Sequence, residues 1–142
     1  MDKQDVRYLT ALTRLAAKHP RFHLDAFRFT ADAVTHTVRL LKKERAPTDE
    51  RQISGQELLD GFRRLALEQY GPLTRDVLAD WGLNRTEDVG EIVFLMVENR
   101  LLGASERDSR SDFEAGYDFD DAFVKPFEPD PAAPAPKPEP LV

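Results

Sequence analysis

Six consecutive apolar residues, Ile92, Val93, Phe94, Leu95, Met96 and Val97, stand in the middle of residues 86–102. A run without alternation wants burial on both sides, so this stretch must lie inside whatever the chain folds into. Its β-branched residues would suit a strand, but its flanks argue for a helix. Thr86 can cap the N-terminus, and Glu87, Asp88 and Glu91 sit where the macrodipole favours negative charge. Arg100 falls in the last turn, and Gly103 stands where a C′ glycine stops a helix. The sequence therefore predicts a central, mostly buried helix over 86–102, around which the rest packs.

The segments before it carry helical periodicity. Val6, Leu9, Leu12, Leu15 and Ala16 recur at helical spacing over 3–18, and His19-Pro20 ends that helix because the residue before proline avoids the α region. A second helix is expected over 24–44. There Leu24, Phe27, Ala31, Val34, Val38 and Leu41 form the seam of an antiparallel pair, with the first helix as the obvious partner. A homodimer seam would use the same pattern. Ser54 and Glu57 form a capping box that opens a third helix over Leu58, Leu59, Phe62, Leu65 and Ala66. Gly71-Pro72 is a stop and restart. A short fourth helix then shows Leu73, Val77, Leu78 and Trp81 on one side, and ends at Gly82.

The expected fold is thus mainly α. A helix pair (1–45) precedes a three-helix unit of winged-helix-like order (54–123), with a short β-hairpin expected near 108–111, all in one domain over 1–123. From Pro126 the composition turns to proline and alanine, so 124–142 reads as a disordered or polyproline II tail. Its Pro131-Ala-Ala-Pro134 has the PxxP form that polyproline-binding modules accept, although a plain solubilising tail has the same composition.

Charge decides what such a fold can meet. Residues 1–53 carry a net +4, 54–103 a net −4 and 104–142 a net −6. In a winged helix-turn-helix the helix at 86–102 would be the reader. Yet Glu87, Asp88, Glu91 and Glu98 on its expected solvent side would repel phosphates. The better nucleic-acid candidate is the basic cluster Arg39, Lys42, Lys43 and Arg45, with Arg51 nearby. The same cations would equally complement a helix C-terminus or dock on the acidic segment that follows the domain. That segment, 104–123, interleaves aromatics with carboxylates. Asp108, Asp112, Phe113, Glu114, Tyr117, Asp118 and Phe119 are its candidate protein-contact residues, the aromatics being expected to dock on the helical core.

No catalytic constellation emerges. There is no cysteine, which excludes disulfides and thiol chemistry. The histidines do not form HExxH, and Asp32 with His36 at i, i+4 lacks an oxyanion loop or serine elbow. The carboxylates of 106–121 lack the EF-hand register, and the glycines are dispersed rather than gathered in a phosphate loop. We expect no cofactor and no metal. No apolar run approaches the roughly 20 residues of a membrane helix. The charged start MDKQDV has no apolar h-region, so a cytoplasmic protein is expected.

The pieces ISGQELLDG, YGPLTRDVLADWG, GEIVFLMV and SERDSRSDFEAGYDF, with HPRFHLDAFRFTADAVTHT upstream, resemble a family of small bacterial proteins of unknown function over roughly residues 5–123. The resemblance implies a bacterial housekeeping or regulatory protein and brings no activity, cofactor or catalytic residue. The expected function is a non-enzymatic protein-binding or regulatory module. The alternatives are nucleic-acid binding through the 39–51 cluster and, behind it, an enzyme acting on a small molecule.

Overall fold

The computed structural model describes residues 2–41, 53–103 and 110–129. The described chain is mainly helical: α1 (Lys3–Lys18), α2 (Leu24–Leu40), α3 (Gly55–Tyr70), α4 (Thr74–Asp80), α5 (Thr86–Glu98) and α6 (Phe119–Phe123). Short 3-10 turns cover Gly71–Leu73, Arg110–Phe113 and Lys125–Phe127. Among the described residues there is no strand. Where the hairpin was expected, Arg110–Phe113 coils as a 3-10 turn, and Asp108 lies outside the described residues. The 3-10 turn at Lys125–Phe127 falls in what composition assigned to the tail. The PxxP stretch lies outside the described residues.

Local chemistry sets the helix ends. The Asp2 carboxylate accepts from the Asp5 N–H and starts α1. At α3 the capping box forms as expected, Ser54 accepting from the Glu57 N–H while Glu57 accepts from the Ser54 N–H. His23 caps α2 in an unexpected way, its Nδ1 accepting from the Asp25 N–H at 3.0 Å. After α4, Gly82 adopts φ +88 while the Leu83 N–H reaches back to the Leu78 carbonyl, a Schellman stop. No larger residue fits at Gly82, because a Cβ there would lie 2.3 Å from the Arg21 carbonyl oxygen.

α5 ends by the same device at a different residue. The helix stops at Glu98, not at residue 102, with Arg100 taking the left-handed φ of 58°. The Leu101 and Arg100 N–H groups return to the Met96 and Val97 carbonyls. Gly103 plays no part, because Arg100 already takes the left-handed C′ position and the stop is complete at Leu101. At the other end Thr86 is the first helical residue rather than the cap.

Packing also differs from the expected seam. α2 meets α3 more extensively than it meets α1. Its buried face comprises Ala26, Phe27, Phe29, Thr30, Ala33 and Thr37, whereas Leu24, Ala31 and Val34 are half-buried and Leu41 is exposed. Small residues made the difference. At Gly61 a Cβ would lie 1.9 Å from the Thr37 hydroxyl, so the Thr37 side chain of α2 packs directly on the backbone of α3. The buried Thr30 and Thr37 hydroxyls bond back to the Ala26 and Ala33 carbonyls, each at 2.7 Å, so neither is left unsatisfied. The apolar run of α5 is core as expected: Ile92, Val93 and Met96 are buried and Phe94, Leu95 and Val97 pack half-buried against them. α5 shares the centre with the α2–α3 pair rather than holding it alone.

Candidate functional site

The segment expected to contact a partner wraps across α3 and α5, and its aromatics turn inward. Phe113, Phe119 and Phe123 are buried in the core. Phe94 meets Phe113 edge-on, and Phe119 meets Phe123 likewise at 5.0 Å between ring centroids. Two polar ties fix the backbone. The Thr86 hydroxyl donates to the Phe113 carbonyl at 2.7 Å and accepts from the Gly116 N–H at 3.0 Å. The Tyr117 hydroxyl donates to the Leu59 carbonyl at 2.8 Å. Burial, opposed by Arg63 and reinforced by Asp60, pushes the Tyr117 hydroxyl well above its ordinary pKa.

The carboxylates of this segment face outward, and most have local work. Asp118 caps α6, accepting from the Asp120 and Asp121 N–H groups at 2.9 and 3.0 Å. Asp120 pairs with Arg75 at 3.1 Å, and Asp121 with Lys125 at 2.5 Å. Asp112 is half-buried and Glu114 exposed. Both line a groove of about 340 Å³ between the segment and α3, together with Gln56, Leu59, Asp60 and Tyr117. Of the expected contact residues, then, Asp112, Glu114 and Tyr117 share one groove. Phe113 and Phe119 belong to the core, Asp118 belongs to a helix cap, and Asp108 lies outside the described residues.

Arg39 sits in the last turn of α2, while Lys42, Lys43, Arg45 and Arg51 lie outside the described residues. The acidic outer face expected of α5 is smaller than the sequence indicates, because Asp88 is buried. Its carboxylate accepts from the Asn84 and Arg85 N–H groups at 2.9 and 3.2 Å and pairs with Arg21, which also holds Glu91 at 2.5 Å. Arg21 lies in the turn between α1 and α2, so this network locks that turn to the start of α5. Burying a carboxylate is costly unless hydrogen bonds and an opposite charge meet it, and here both do.

Among the described residues no group of three or more His, Asp or Glu side chains could hold a metal ion. No helix there is long and apolar enough to cross a membrane. One surface had no sequence signal. Tyr70, Trp81, Asp25, Arg28 and Asp32, from α2 and the ends of α3 and α4, line a notch of about 250 Å³. These residues are spread from 25 to 81, so no short motif could announce them. No family model matches the chain, and no curated protein or solved structure matches it.

Proposed function

We propose that this chain is a non-enzymatic protein-binding regulatory module that meets its partner through the outward face of 110–121. The observation that carries this reading is the orientation of the segment. Its phenylalanines are sunk in the core, so Asp112 and Glu114 stand on a fixed base at the edge of the groove beside α3. A partner would then meet preset carboxylates without the entropy cost of ordering the segment, and a basic partner is the natural complement. The order α3, α4, α5 supports a winged-helix-like reading of the three-helix unit. The resemblance carried by ISGQELLDG and YGPLTRDVLADWG supports placing the protein among small bacterial, cytoplasmic regulatory proteins.

Deleting the segment would strip phenylalanines from the core, so the test uses its surface alone. Affinity capture from the native cells compares the full chain with the Asp112→Asn/Glu114→Lys double variant, and with Asp76→Lys on the exposed side of α4. The expected result is that specific partners are lost with the double variant and kept with Asp76→Lys, while circular dichroism shows all three proteins folded. The same partner set from all three proteins would overturn the reading.

A further inference from the structure

We infer that the notch between α2 and the ends of α3 and α4 is a binding site for an organic ammonium group. It lies apart from the 110–121 face and does not depend on it. Tyr70 ends α3 and Trp81 caps α4, and their rings stand nearly perpendicular, at 84° with centroids 5.6 Å apart. Phe29, buried behind them, fixes this corner, with its centroid 6.0 Å from Tyr70 and 5.6 Å from Trp81. The two rings meet edge to face and both line the notch, so aromatic surface stands beside the carboxylates of Asp25 and Asp32, a setting that attracts alkylated ammonium cations.

Charge completes the notch. Asp25 and Arg28 lie 3.9 Å apart and largely cancel, and Asp25 is also 3.5 Å from the His23 Nδ1. Asp32 has no hydrogen bond or ion pair among the described residues. It therefore sets the sign of the site. Its field reaches both flanking phenols. Burial raises the Tyr70 pKa above its ordinary value, and Asp25 and Asp32 raise it further. Burial and then Asp32 do the same to Tyr8, which lines a neighbouring notch of about 220 Å³ that shares Arg28 and Asp32.

The aromatic corner is also unclaimed from within. Arg21, Arg75 and Arg110 stack on Phe22, Phe119 and Phe94, at 4.8, 5.8 and 5.3 Å from the ring centroids. Among the described residues no cation is placed over Trp81, although tryptophan is the ring that attracts cations best. A carboxylate beside aromatic faces selects a weakly hydrated alkylammonium over a small inorganic ion. The rings take the methyl groups and Asp32 takes the charge.

Trp81 is the single tryptophan, so its fluorescence reports the notch directly. The full chain is titrated at constant ionic strength with choline, and with its neutral carbon isostere, in which a tert-butyl group replaces trimethylammonium. Parallel arms use a short trimethyllysine peptide and its unmodified lysine counterpart. The expected result is a saturable change in Trp81 emission, with the cation bound at least about tenfold more tightly than the neutral isostere. Asp32→Asn weakens cation binding about fivefold or more, while Glu98→Gln, an equal change of charge at the exposed end of α5, leaves it unchanged. Tighter binding of the trimethyllysine peptide than of choline assigns the cation to a partner protein, and the reverse assigns it to a free metabolite. Equal responses to choline and its isostere, no saturation with any cation, or full binding by Asp32→Asn would each overturn the site.

Discussion

α1 and the C-terminal stretch 110–123 make opposite use of their residues. α1 is a regular, capped, 16-residue helix, yet it buries only Leu12 and Leu15. Val6 and Tyr8 on it stay 49% and 37% exposed, so its first two turns lie largely in water. The C-terminal stretch is a 3-10 turn, a bend and a five-residue helix, and it buries three phenylalanines. At about 1.5–3 kcal/mol for each large apolar side chain removed from water, the irregular stretch contributes more to the core than the helix does. Regular backbone geometry and contribution to the fold are separate quantities. A helix satisfies its own hydrogen bonds wherever it lies. An irregular segment persists only where side chains and specific ties hold it.

The comparison breaks most easily at the buried rings. Phe113→Ala should destabilise the protein by about 3–5 kcal/mol, against about 2–3 kcal/mol for Leu15→Ala, measured by urea unfolding. The reverse order would end it. A smaller effect isolates the polar tie: Thr86→Val removes both the donor to Phe113 and the acceptor for Gly116, and should cost about 1–3 kcal/mol.

Tyr117→Phe should cost about 1 kcal/mol at neutral pH through the lost bond to Leu59. It also changes the alkaline limb. The folded state raises the Tyr117 pKa, so above the ordinary tyrosine value of about 10 the unfolded chain loses this proton first, and stability falls as pH rises. The variant should lose less stability than the parent across that window, while Tyr8 and Tyr70, raised in the same direction, keep part of the slope. The smallest effect has the opposite sign. Arg100→Gly relieves a left-handed residue at the end of α5 and should stabilise by up to about 1 kcal/mol in thermal unfolding.

The same contrast explains what was legible in the sequence. α1, the Ser54–Glu57 capping box, the buried face of α3 and the stop at Gly82 are written in residues close together in the chain. So is the apolar run of α5. Asp88 could not be placed, because its partner Arg21 is far off in sequence and only the folded turn brings it near. The α2 face differs from the expected seam for a related reason: Thr37 looks incidental until Gly61 of α3 lies against it. In the C-terminal segment the spacing of Phe113, Tyr117, Phe119 and Phe123 showed that they would dock, but not that a coiled rather than a paired backbone would deliver them. The groove beside Glu114 was half legible, through its carboxylates. The notch at Trp81 was not legible, since three helices build it.

Native-state hydrogen exchange tests the central claim, that the irregular C-terminal stretch is part of the core and α1 is its looser cover. The amides to follow are Gly116, which donates to the Thr86 hydroxyl, and Ala122, which donates to the Asp118 carbonyl, beside those of residues 6–11 in α1. The account predicts that Gly116 and Ala122 open with the same free energy as Ile92 and Met96 of α5, while the first turns of α1 open at a lower one. Protection of 6–11 at the level of α5, with early exchange at Gly116 and Ala122, would contradict it.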